Sequence, residues 1–140
     1  MSASRARLYH RLQIAAHRLR RRADGALLEA AGVTTAQAAV LSLVADRGSC
    51  SQREIAQALG QQESAMTAMV RRLIEAGLIV RIRDERDGRA WRLSLTPEGR
   101  TALEAARGPF AEIDRALEEA LGPDDLPRVA EALKRLSERI

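Results

Sequence analysis

At 140 residues and 46% apolar content, the chain is the size of one domain with its own core. One Phe, one Tyr and one Trp leave that core to Leu, Ile, Val, Ala and Met, which argues against a pocket stacking a large flat ligand. The net charge of +4 is unevenly spread: residues 1–30 carry seven Arg against two acids, residues 51–100 nine Arg against seven, and residues 101–140 six bases against nine. The two ends therefore attract each other, and the basic field lies nearer the middle of the chain. No apolar run approaches the ~18 residues of a membrane span, and the N-terminus lacks the apolar stretch of a signal peptide. A soluble, cytoplasmic protein with no membrane partner is expected.

From about residue 5 to residue 30, Leu8, Leu12, Ala15, Leu19, Ala23 and Ala26 recur every three or four positions, which predicts a long amphipathic helix. His10 and His17 are seven apart near the edge of that stripe. Without an acidic partner in the helix, packing or hydrogen bonding is a better account of them than metal binding. Cys50 is the only cysteine, so there is neither an intrachain disulfide nor a Cys-rich metal site. A redox switch there requires an exposed, low-pKa thiolate, and the local sequence offers Arg47, Arg53 and a helix start to lower it.

The next helix opens at Ser51, where Ser51 and Glu54 have the spacing of a reciprocal capping box. Ile55, Ala56 and Leu59 form its apolar stripe, and Gly60 is suited to end it at positive φ. A second helix is expected over roughly residues 63–76, with Met66, Met69, Val70, Leu73 and Ile74 on one face and Gly77 just past the end. Two short helices across such a turn predict a helix-turn-helix. Ser64, Thr67, Ala68 and Arg71 fall on the opposite face, with Gln61 and Gln62 at the entry, and these residue types suit base edges and phosphates. A solvated helix face has the same composition. Arg72 has a local alternative in an ion pair with Glu75.

Beyond Gly77 the period becomes two: Leu78, Val80 and Ile82 alternate with Ile79, Arg81 and Arg83, then Trp91, Leu93 and Leu95 with Arg92 and Ser94. The loop between them, residues 84–89, contains an Asp87-Gly88 step suited to a tight hairpin turn. The hairpin is thus expected to be a wing, with Arg86 and Arg89 at its tip and Arg81, Arg83 and Arg92 flanking them for phosphate or minor-groove contact. Asp84 either pairs with Arg86 on the surface or shapes the loop.

After the wing, Thr96 is placed to cap a helix beginning at Pro97, with Leu103, Ala106, Phe110, Ile113, Leu117 and Leu121 in its stripe and a kink expected at Gly108-Pro109. Gly122-Pro123 should break the chain before a last stripe of Leu126, Val129, Leu133, Leu136 and Ile140. One compact head does not readily bury three terminal stripes, so a two-fold dimer is expected. Its two recognition helices would then meet an inverted repeat in double-stranded DNA.

Taken together, residues 73–79 (LIEAGLI) leading to Arg81, the wing pattern Asp84-x-Arg86-Asp87-x-Arg89, and residues 93–99 (LSLTPEG) resemble the multiple-antibiotic-resistance regulator (MarR) family of winged helix-turn-helix proteins. Similarity extends to residues 33–37 (VTTAQ) ahead of an apolar helix, and so covers nearly the whole chain. The resemblance implies a mainly α fold with a small β-hairpin. It also implies a single domain over residues 1–140: dimerisation helices at 1–31 and 97–140, and a winged helix-turn-helix at 34–96. The candidate DNA-binding set, read from the exposed face of the second helix and from the wing tip, is Gln62, Ser64, Thr67, Ala68, Arg71, Arg86 and Arg89, and the resemblance favours Asp84 shaping the wing so that Arg86 enters the minor groove. The implied function is a homodimeric repressor released from its operator by a small anionic or phenolic effector; Arg18, Arg21 and His17 are candidate anion partners, although an exposed basic helix face accounts for them better. No enzyme motif, cofactor site or metal site is expected. Ala68 stands where many relatives carry a larger polar residue. The alternative of a winged-helix protein-interaction module without specific DNA binding therefore stays open.

Overall fold

The computed structural model describes residues 3–140, with side chains from residue 7 onward; the first two residues of the expected 1–31 arm lie outside the described residues. Eight elements follow one another: α1 (Ala3–Ala31), α2 (Thr35–Arg47), α3 (Gln52–Ala58), α4 (Glu63–Glu75), β1 (Ile79–Arg83), β2 (Trp91–Leu95), α5 (Pro97–Ala105) and α6 (Arg107–Arg139). The fold is mainly helical with one antiparallel hairpin, as the sequence predicts.

Local chemistry sets most of the helix ends. Thr34 and Gln37 form a reciprocal capping box at the start of α2, and Ser51 and Glu54 form one at the start of α3. The start of α2 is also tied to α1, because Asp24 Oδ1 accepts from both the N–H and the hydroxyl of Thr35, each at 2.7 Å. After α4, Gly77 takes φ 75°, so that Leu78 N–H reaches Leu73 O at 3.0 Å and Gly77 N–H reaches Ile74 O at 2.9 Å. This paired closure turns the chain sharply from helix into β1.

The core gathers around α2, whose Val40, Leu41 and Val44 are fully buried, and takes in Leu27, Ile55, Val70, Leu73, Ile79 and Leu93 from the surrounding elements. In α1 only the C-terminal part joins it, through Ala23 and Leu27, whereas Leu8 is 60% exposed. Leu27 is absent from the expected stripe, and Ala26, which belongs to it, is half-buried. Alternation left the inward face of the hairpin open, and the strand register decides it. Ile79 pairs with Leu95 and Arg81 with Leu93, so the buried side chains are Ile79, Leu93 and Leu95, while Val80 and Ile82 stand exposed opposite Ser94 and Arg92. Directly opposed residues share a face, so the buried Leu93 and Leu95 bring in the odd-numbered residues of β1. A short third edge also escaped the sequence: Cys50 and Leu93 exchange backbone hydrogen bonds at 3.1 and 2.7 Å.

Thr96 locks α5 to the end of α4. Its hydroxyl donates to Gly77 O at 2.6 Å and accepts from Gly99 N–H at 3.0 Å, while its own N–H bonds Leu78 O at 3.1 Å. Gly99 is buried there, and a Cβ added to it would overlap the Leu78 carbonyl oxygen. Backbone cannot yield as a flexible side chain does, so Gly99→Ala is expected to destabilise the fold by about 1–3 kcal/mol. Thermal unfolding should register this as a Tm lower by several degrees, and an unchanged Tm would show that α5 moves freely.

The chain breaks at Ala106, between α5 and α6, rather than at Gly108-Pro109. A proline ring clashes with the carbonyl four residues earlier, so Pro109 is accommodated only when α5 has ended and Pro109 lies in the first turn of α6. The expected break at Gly122-Pro123 is present: Gly122 has φ 79° and ψ 167° inside α6. Beyond it Val129, Leu133, Leu136 and Ile140 are 37%, 44%, 42% and 93% exposed.

Candidate nucleic-acid interface

The exposed face of α4 and the tip of the β1–β2 hairpin are the two surfaces on which the candidate DNA-binding residues lie. Met66, Val70 and Leu73 bury one side of α4, which leaves Ser64, Thr67, Ala68 and Arg71 exposed on the other. Gln62 is the N-cap residue of α4 and makes no side-chain cap bond, so its amide is not committed there. Thr67 is less free. Its hydroxyl donates to Glu63 O at 3.1 Å and accepts from Gln52 Nε2 at 2.8 Å, a link from α3 to α4 that nothing in the sequence spacing signals. Arg71 and Arg72 are exposed, and no ion pair joins Arg72 to Glu75 among the described residues.

The wing is organised by two aspartates. Asp84 Oδ1 accepts from Arg86 N–H at 2.9 Å, and Asp87 Oδ1 accepts from Arg89 N–H at 3.1 Å. Each is a side-chain turn of the Asx kind, in which an aspartate holds the backbone two residues on. The repeated Asp-x-Arg spacing is therefore two successive turns, each with an arginine at its third position. Asp87 has the same local role as Asp84, and its equal spacing was the available signal. The loop is also wider than a two-residue hairpin turn. Asp84 N–H bonds Ala90 O at 3.1 Å, Ala90 N–H bonds Asp87 O at 3.0 Å, and Gly88 does not take a positive φ. Asp87 thus opens a four-residue turn whose middle is Gly88-Arg89.

The five wing arginines separate into two kinds. Arg83 Nη1 donates to Gly88 O at 2.6 Å, and its guanidinium lies 4.2 Å from the centre of the Trp91 ring, so it supports the hairpin from within. Arg92 donates from Nε to Ser49 Oγ at 2.9 Å and from Nη2 to Ser49 O at 2.8 Å, and Nη1 stands 3.5 Å from Glu54 Oε1 and 3.9 Å from Asp84 Oδ2. Arg83 thus holds the hairpin together, and Arg92 ties it to the segment ahead of α3. Arg81, Arg86 and Arg89 are exposed, with no side-chain hydrogen bond or ion pair among the described residues.

Cys50 is fully buried beneath the hairpin. Burial, reinforced by the Glu54 carboxylate, raises its thiol above the ordinary cysteine range against the opposing pull of Arg47 and Arg92. A shielded, protonated thiol lacks both requirements of the redox switch that the sequence left open. His10 and His17 are exposed on α1.

Between α1 and the helix-turn-helix lies a cleft of about 550 Å³, lined by Arg20, Asp24, Thr35, Leu59, Met66 and Met69 among others. Arg18, Arg21 and His17 are exposed on α1 and do not line it; Arg20 does. Met66 and Met69 belong to α4, so this cleft adjoins the back of the candidate reading helix.

A family model described as MarR family matches residues 31–90. The HTH-type transcriptional regulator FarR of Neisseria gonorrhoeae is 29% identical over 111 residues, covering 79% of this chain and 76% of FarR. The HTH-type transcriptional repressor MdtR of Bacillus subtilis is 42% identical over 72 residues, 51% of this chain and 46% of MdtR. Among solved structures, the S. aureus MepR–DNA complex has a TM-score of 0.84 at 23% identity, covering 100% of this chain and 99% of that one, and so shares its fold.

Proposed function

We propose that the chain, whose residues 31–90 match a MarR family model, is a homodimeric repressor that reads an inverted-repeat operator and releases it on binding a small anionic or phenolic effector. The observation that carries DNA reading is the division of labour among the arginines. Arg83 and Arg92 are committed to partners within the protein, while Arg71 on α4 and Arg86 and Arg89 at the wing tip present uncommitted cations. Charge-assisted contacts to phosphate and guanine need such groups. Gln62, Ser64, Thr67 and Ala68 complete the reading face, and Asp84 holds the backbone of Arg86.

Dimerisation follows from the apolar surface left on the terminal helices. Leu8, Tyr9 and Ile14 of α1 and Val129, Leu133, Leu136 and Ile140 of α6 are exposed in one chain, apolar surface on both terminal helices that a second copy would cover. The effector site is the cleft between α1 and the helix-turn-helix. Arg20 supplies a cation and Leu59, Met66 and Met69 an apolar wall, and occupancy there biases the position of α4 by population shift.

Selection from a random duplex pool tests the proposal. An enriched inverted repeat is expected, whereas a pool without enrichment favours the protein-interaction module. On the recovered site, Arg71→Ala is expected to cost about 1–3 kcal/mol per base contact and to relax the sequence preference. Equal losses on cognate and random duplexes would assign Arg71 to phosphate instead.

A further inference from the structure

We infer that Arg92 is a positioning residue for DNA binding: it fixes the wing on the helix-turn-helix and, through Asp84, sets the place of the tip arginine Arg86, without itself touching DNA. The inference rests on the proposed DNA-binding role of the wing.

Two strands joined by a turn are marginal in water and need an attachment to hold an orientation. Toward the base, the hairpin has several: the Cys50–Leu93 bridge, Ser94 Oγ donating to Gly48 O at 3.4 Å, and Thr96 bound to Leu78. Outboard of Arg92 there are none. Among the described residues, the hydrogen bonds and ion pairs of residues 81–91 stay within the hairpin. Arg92 is thus the last tie between the wing tip and the rest of the protein.

What it joins makes the tie directional. Two of its nitrogens grip the hydroxyl and the carbonyl of Ser49, a planar two-point hold that fixes the guanidinium. The third lies between two carboxylates, each already committed through its other oxygen. Glu54 Oε2 accepts from Ser51 N–H at 3.4 Å in the capping box of α3, and Asp84 Oδ1 accepts from Arg86 N–H at 2.9 Å. One cation therefore couples the start of the helix-turn-helix to the backbone of Arg86. The Arg92 side chain is 27% exposed and its nitrogens are engaged, so a phosphate would have to displace existing partners to reach it. Its removal would also leave Glu54 and Asp84 as uncompensated negative charges near a polyanion.

The test is a double-mutant cycle on the dimer, with dissociation constants measured over a salt series on the duplex recovered by selection. Arg86→Ala should weaken binding and lower the salt slope by about 0.9 for each phosphate that the protein no longer neutralises. Arg92→Ala should weaken binding in the same way. In the Arg86→Ala background its effect should be smaller than in the wild type, because the part that acts through Arg86 is gone while the part that orients Arg89 and compensates Glu54 and Asp84 remains. Combined with Arg71→Ala it should act additively, whereas a general loss of folding would mask the effect of Arg71→Ala as well as that of Arg86→Ala. If Arg92→Ala does not fold, Arg92→Lys keeps the charge but not the two-point hold on Ser49, and the same dependence on Arg86 is expected with a smaller loss. Additive effects of Arg92 and Arg86, or full affinity in a folded Arg92 variant, would overturn the inference. An Arg86→Ala dimer that binds like the wild type would overturn the wing's proposed role, and this inference with it.

Discussion

Replacing Arg86 and Arg89 together with alanine is expected to leave a folded dimer that binds its operator roughly a thousandfold more weakly at about 0.15 M salt. Both side chains are exposed and without side-chain partners among the described residues, so the core loses nothing. The backbone turns also survive, because Asp84 and Asp87 hold the main-chain N–H groups of the arginines and not their guanidiniums. Two wings carry four such cations in a dimer. At about 1 kcal/mol of counterion-release free energy per phosphate neutralised, four cations give about 4 kcal/mol and a salt slope lower by roughly 3.6. Circular dichroism and sedimentation establish the folded dimer, and titration against labelled duplex over a salt series gives slope and affinity. Retention of both affinity and slope would remove the wing from the DNA interface and raise the protein-interaction alternative.

An effect as large is expected from the far end of the chain. Leu133→Asp with Leu136→Asp should convert the dimer to monomer and abolish operator binding, although neither residue is near the reading head in sequence. Both leucines are exposed in the single chain, at 44% and 42%, and lie in the helical segment beyond the Gly122 break. Burying their exposed parts is worth about 1 kcal/mol per side chain, hence about 4 kcal/mol over the two copies, and carboxylates placed against apolar surface add to the penalty. A dimer dissociation constant raised at least about a thousandfold follows. Sedimentation equilibrium measures this directly, and removal of residues 1–20 or 123–140 should act in the same direction. A variant that stays dimeric and binds DNA normally would place the interface elsewhere.

Much of the architecture was legible because the signals that start and stop helices act within a turn or two of chain. Ser51 and Glu54, Thr96 ahead of Pro97, and Gly60 and Gly77 at the helix ends each specify a boundary through atoms no more than five residues apart, and the structure places them as expected. The periods of three to four and of two likewise identified the apolar face of α4 and the two strands. The break before α6 fell slightly upstream of the expected kink because a proline acts on the carbonyl four residues behind it.

The candidate interface was legible only as a set of residue types. Five wing arginines look alike in a linear pattern, yet Arg83 and Arg92 are held by partners within the protein while Arg81, Arg86 and Arg89 are free. For Arg83 the partners, Gly88 and Trp91, lie within the hairpin, but for Arg92 they are far along the chain: Ser49 is 43 residues away, and Glu54 is 38. Likewise, strand alternation alone did not say which face of β1 is buried. Ile79 turns inward because its register with Leu95 puts it on the face of the hairpin that packs on the core, where Leu93 also bridges to Cys50. Caps, turns and periods are properties of short segments and can be read one segment at a time. Burial, ion pairing and the freedom of a cation to meet DNA depend on which distant segments are packed together, and this chain acquires those properties only when its elements assemble.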